Sequence, residues 1–185
     1  MPARSAIVGM VIALSAVACG SGGDPPSPVA ADALPGEAGD VVELDTTFVA
    51  GDAIDFAELE GILEDAGFAG GTQRVFAQSQ GARQQRSLAR VLAFADADGA
   101  QAYLDWLEEH VDEVIGTAEL LDPPDLPGVA FLALSDSDCC PKATRVYLVA
   151  WRRDSSVLTL EVGGDGVDED LVAELARDLD GAVTL

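Results

Sequence analysis

The apolar positions of this chain change their period several times, and the changes divide it into elements. Phe56, Leu59, Ile62, Leu63 and Ala66 recur at helical spacing. They follow Asp55-Phe56-Ala57-Glu58, an acid with Glu three residues on, which is the pattern of a capping box. Gly67 stops this first helix. Tyr103, Trp106, Leu107, Val111, Val114 and Ile115 form a longer stripe, which predicts one helix from a cap at Asp98 to about Ile115. Leu171, Val172, Leu175 and Leu179 define a last helix. Between these lie extended runs. Gln73 to Ser79 and Arg86 to Phe94, split by turn-prone residues around Gly81, read as a hairpin. Val129 to Leu134, Ala143 to Trp151 and Val157 to Val162 read as three more strands, with Asp154-Ser155-Ser156 as the last turn. Val41 to Val49 suits a strand or an ordered lead-in, and Val183 to Leu185 a short final strand.

The order is therefore α-ββ-α-βββ-α. Strands joined by short turns pair antiparallel, and helices cover the apolar side of such a sheet. The expectation is a single α+β domain over 41–185: an antiparallel sheet of about five strands with helices packed on one face.

The chain before that domain has a different character. Arg4 precedes Ala6 to Ala18, an uncharged apolar run. It is shorter than the roughly 20 residues that span a bilayer core. Such a run behind a basic N-terminus, ending in small residues, reads as a secretory signal over 1–18. Ala16-Val17-Ala18 fits the A-x-A rule of ordinary cleavage. Followed by Cys19, the same residues also resemble the lipobox of bacterial lipoproteins, with Ala16 where that family usually has leucine. The lipobox resemblance implies that Cys19 is acylated and becomes the mature N-terminus. Cysteine arithmetic favours that reading. Ordinary cleavage would leave an odd, exposed thiol, whereas acylation leaves Cys139 and Cys140, which can pair. The Gly/Ser/Pro-rich segment 19–40 then reads as a disordered tether, holding the domain on the order of 25 Å from its anchor.

Charge narrows the partners. Of 185 residues, 33 are acidic and 10 basic, for a net charge of −23. Such a surface repels nucleic acid and anionic headgroups, so the membrane is expected to be reached only through the lipid. The acids are not spread evenly. Thr72 to Ala95 holds no acid but contains Arg74, Arg83, Arg86 and Arg90, and Cys139 to Arg153 holds none but contains Lys142, Arg145, Arg152 and Arg153. Alternation along the 145–153 strand puts Val146, Leu148 and Ala150 on one face, and Arg145, Tyr147, Val149, Trp151 and Arg153 on the other. The first face is expected under the helices. The second is expected to be open, with Arg86 and Arg90 sharing its side on a neighbouring strand. An arginine-aromatic face of this kind would take a small anionic or aromatic ligand, or an envelope protein.

Other candidate chemistry is thinner. Outside the cytoplasm Cys139 and Cys140 are expected to oxidise, either as a vicinal disulfide that stiffens its loop or as a bridge to another chain. No second cysteine pair accompanies them, and His110 is the one histidine, so a metal site is not expected. Nothing in the spacing brings a serine and an acid to His110. Asp96 to Gly99 and Asp165 to Asp170 hint at calcium loops, but helix N-caps explain these acids more simply. No residue set argues for a reaction or a cofactor.

The element order, with the lipobox-like residues, resembles the extracytoplasmic sensor and lipoprotein domains of mycobacterial type. The kinase sensor domains among them carry spaced disulfides, whereas this chain has adjacent cysteines, so no site residue is carried over. The resemblance implies a non-catalytic binding or sensor domain, lipid-anchored on the outer side of a cell membrane. A structural envelope lipoprotein without a ligand and an enzyme of unknown reaction are the alternatives.

Overall fold

The structure is a computed structural model that describes residues 26–51, 53–80, 83–128, 130–137 and 144–184. The signal run, Cys19, the first part of the expected tether, and the loop with Cys139 and Cys140 lie outside the described residues.

Thirteen elements follow in chain order among the described residues. They are β1 (Glu37–Ala38), β2 (Val42–Leu44), α1 (Thr46–Ala50), α2 (Phe56–Asp65), β3 (Phe68–Gln80), β4 (Arg83–Phe94), α3 (Ala97–Glu109), α4 (Val111–Ile115), β5 (Ala118–Leu121), β6 (Ala130–Ser137), β7 (Thr144–Arg153), β8 (Ser156–Gly164) and α5 (Glu169–Ala182). The strands form one eight-stranded sheet in the order β1-β3-β4-β8-β7-β6-β5, with β2 also on β3, and every pairing is antiparallel. The α+β class and the antiparallel sheet are as the sequence implies. The strand count is higher because β1, β2 and β5 are too short to show a period.

Three local expectations change. The helix expected from Asp98 to Ile115 starts two residues earlier: Asp96, not Asp98, is its N-cap, and its carboxylate accepts from Gly99 N at 2.9 Å. That helix also stops at His110, and α4 restarts after it. Val41 to Val49 divides between a strand and a helix, because Asp45 caps α1 by accepting from Phe48 N at 2.8 Å. Val183 is the extended C-cap of α5 rather than the start of a strand.

The largest correction concerns layering. Helices cover both faces of the sheet. Leu59 and Leu63 of α2 and Tyr103, Leu104 and Leu107 of α3 pack on Leu92, Phe94, Leu148 and Ala150. Val172, Leu175, Ala176 and Leu179 of α5 pack on the opposite side against Val91, Val149, Trp151, Leu158 and Leu160. Both faces of β7 and β8 are therefore buried, and their sequences show it: 146–151 is a continuous apolar run rather than an alternating one.

The expected tether is also shorter than its composition suggests. Val29 is 1% exposed, and with Ala33 and Leu34 it joins the α5-side core. Geometry gives the reason. A helix is about 10 Å across and strands lie about 4.8 Å apart, so one helix covers about two strands. On the α5 side the N-terminal segment covers what α5 leaves bare.

Candidate functional site

Register assigns each side chain to a face. Across the centre of the sheet, Arg86 lies opposite Gly163, Leu88 opposite Glu161, and Arg90 opposite Thr159. Their β7 partners are Val146, Leu148 and Ala150. Arg86, Leu88, Arg90, Glu161 and Val146 thus share the face on which α2 and α3 lie. Ser87, Val91, Tyr147 and Trp151 belong to the α5 face.

The arginine-aromatic face expected from the sequence is therefore not assembled. Tyr147 is buried and Trp151 is 0% exposed, both within the α5-side core. The Trp151 indole Nε1 donates to Asp180 Oδ1 at 2.9 Å. Arg153 donates to the carbonyl oxygens of Asp180 at 2.6 Å and Val183 at 3.2 Å. Its guanidinium also lies 3.5 Å from the Asp180 carboxylate. These carbonyls belong to the last turn of α5, where helix acceptors lack intrahelical partners and a cation is favoured. Trp151 and Arg153 hold that helix end to the sheet. Arg145 is exposed and pairs with Asp136 at 3.5 Å. Arg86 and Arg90 are on the other side of the sheet from all four.

That other side is only half covered. The capped start of α3 sits directly on the end of α2, so closely that a Cβ at Gly99 would collide with the Ala66 carbonyl. The two helices thereby lie over the end of the sheet marked by Leu92, Phe94 and Ala150. Towards the β3–β4 turn none of the described helices lies over it. An open groove of about 590 Å³ remains there, floored by Leu88, Val146, Glu161 and Gly163 and bordered by Arg86 and Gln84. Leu88 and Glu161 continue into a narrow cleft between the sheet and α3. Trp106, Leu107, Val114, Leu148 and Arg90 line that cleft, which has room for about 20 Å³.

The cleft has two polar features. Arg90 donates through Nε to Gln73 Oε1 at 3.0 Å, which aligns its guanidinium along the sheet. Trp106 is 6% exposed, and its indole Nε1 is buried without a hydrogen-bond partner among the described residues. Its ring is fixed from both sides, by Tyr103 at 6.4 Å and by His110 at 4.8 Å with nearly parallel planes. His110 sits at the α3–α4 break, with Nδ1 2.9 Å from the Trp106 carbonyl oxygen and Nε2 3.7 Å from the Glu58 carboxylate. In the groove, neither Arg86 nor Glu161 has a hydrogen-bond or ion-pair partner among the described residues. The acids of the two calcium-like stretches are accounted for locally: Asp96 and Asp168 cap α3 and α5 through backbone N–H groups.

Of the candidate residues taken from the sequence, Arg86 and Arg90 lie at the groove and cleft, and the other four do not. Trp106 and Glu161 were missed. Trp106 reads as one more apolar position of the α3 stripe. A signal existed in β4, where Arg86, Leu88, Arg90, Leu92 and Phe94 grade one face from charged to apolar.

Comparison with protein-family models gives no match for this chain. Comparison with curated proteins gives none either. Among solved structures, the extracellular domain of PknH from Mycobacterium tuberculosis is similar, with a TM-score of 0.57. The match covers 84% of this chain and 97% of that one at 11% identity, and it shows a shared fold.

Proposed function

We propose that this chain is an extracytoplasmic binding domain of the sensor type, anchored by a lipid on Cys19, which holds a small organic ligand in the groove beside Arg86 and performs no reaction on it. The observation that carries the reading is the groove itself. It is a preformed concavity on an otherwise packed sheet, mainly apolar in floor, with one cation and one carboxylate that no described residue neutralises. Sites of this kind bind small molecules through apolar burial and a few oriented polar groups. The extracytoplasmic part of the reading draws on the export signal in the sequence and on the fold shared with an extracellular domain. The anchor part of the reading draws on the lipobox-like residues Ala16-Val17-Ala18 before Cys19; among the described residues no helix is long and apolar enough to cross a membrane.

Two experiments test this. Thermal shift of the purified domain against a metabolite panel should find a compound whose effect disappears in Arg86→Gln. A panel in which every stabilising compound acts equally on wild type and Arg86→Gln removes the groove as the site. Fractionation of wild type beside Cys19→Ser should move the protein from membrane to soluble fraction. Wild type that is already soluble removes the anchor.

A further inference from the structure

Glu161 stands out in the groove. β8 is the central strand of the sheet, and its positions 156–160 and 162 are buried. Register sets the half-buried Glu161 between two leucines, Leu88 of β4 and Leu148 of β7. Its carboxylate has no hydrogen-bond or ion-pair partner among the described residues. A carboxylate placed on an apolar face loses hydration, and a cation brought to it offsets that loss. Its diagonal neighbours on β4 are Arg86 and Arg90. Arg90 donates through Nε to Gln73 of β3, on the side of β4 away from Glu161. Arg86 borders the groove and has no partner among the described residues. Diagonal positions on paired strands lie about 7–8 Å apart. The groove therefore presents one cation and one anion on the same face, near each other and not joined. Between Arg86 and Val146 the register position is Gly163, whose missing side chain leaves the hollow. Net charge adds a constraint: at −23 the molecule opposes the approach of an anion, whereas a ligand carrying both charges meets no net repulsion.

From this we infer that the ligand is a free α-amino acid with an apolar side chain. Its carboxylate pairs with the planar donors of Arg86, its ammonium pairs with Glu161, and its side chain lies on Leu88 and Val146 over Gly163. The inference rests on the groove being the binding site proposed above.

The test is calorimetric titration of the full chain with L-leucine and four relatives. N-acetyl-L-leucine lacks the ammonium, L-leucinamide lacks the carboxylate, glycine lacks the side chain, and 6-aminohexanoate is an isomer of leucine with its charges at opposite ends. Leucine should bind about tenfold more tightly than the acetyl derivative and the amide, the scale of one hydrogen bond to a charged group. Glycine and 6-aminohexanoate should also bind more weakly. Two variants of similar size, checked for an unchanged melting temperature, assign the charges. Glu161→Gln should weaken leucine and leucinamide about tenfold and leave N-acetylleucine unchanged. Arg86→Gln should weaken leucine and N-acetylleucine by the same factor and leave leucinamide unchanged. Equal binding of leucine and N-acetylleucine overturns the ammonium site, and equal binding of leucine and leucinamide overturns the carboxylate site. Glycine as tight as leucine overturns the apolar side chain, and 6-aminohexanoate as tight overturns the placing of both charges on one carbon. A variant that weakens every probe alike overturns the pairing. Absence of leucine binding overturns the amino-acid class, and the groove itself is then judged separately, by whether a thermal-shift compound loses its effect in Arg86→Gln.

Discussion

The two faces of the central strands share a backbone and differ in what closes them. On the α5 face the helix is tied down by side chains, Trp151 and Arg153 both reaching the last turn of α5, although Thr72 Oγ1 and Arg74 Nε of β3 are buried on that face without a hydrogen-bond partner among the described residues. On the α3 face the helices stop part-way, and Arg86, Glu161 and Trp106 Nε1 are left without partners among the described residues. Buried polar groups in folded proteins are normally satisfied. A face left half open beside a groove that Arg86 and Glu161 border is suited to receiving a ligand, and a face covered by α5 and the N-terminal segment is suited to holding the fold together.

Substitutions should separate these roles, with the largest effect on the sealed side. Trp151→Ala should destabilise by about 3–5 kcal/mol in chemical denaturation, as for a buried aromatic, with a further contribution from the lost indole hydrogen bond to Asp180. A loss under 1 kcal/mol would mean that the α5 face is loosely packed. Gly99→Ala should cost about 1–3 kcal/mol, because the new methyl group meets the Ala66 carbonyl and must push α3 away from α2. It should also change ligand binding in the groove, since α3 forms one wall of the cleft; unaltered binding would show that the wall does not matter. Arg153→Ala should cost about 1–2 kcal/mol through the lost cap on α5 and leave binding as it was. Arg86→Gln is the mirror image. Its effect on stability should stay within about 0.5 kcal/mol, while ligand capture is lost.

The sequence made one half of this contrast legible and hid the other. Period and capping residues located α2, α5 and the β3–β4 hairpin, because those signals are local. The charge partition correctly singled out β4 and β7 as strands with unusual cations. What alternation could not say was which arginines share a face across strands, since that depends on register between segments some 60 residues apart. Nor could it say that α5 returns to the far side of the sheet. The continuous apolar run 146–151 was the available clue, for a strand exposed on one face alternates and this one does not. Val29, Ala33 and Leu34 were hidden for a similar reason: three apolar residues in a polar stretch have no period, yet they suffice to cover one strip of sheet.

The central claim is that the α3 face receives a ligand while the α5 face is structural. Hydrogen–deuterium exchange of the full domain, with and without a stabilising compound from the thermal-shift panel, tests it most directly. Protection should increase in 84–90 of β4, 159–164 of β8 and 103–107 of α3, with 169–182 of α5 unchanged. Protection that increases in α5 and leaves β4 and α3 unaffected would contradict the account.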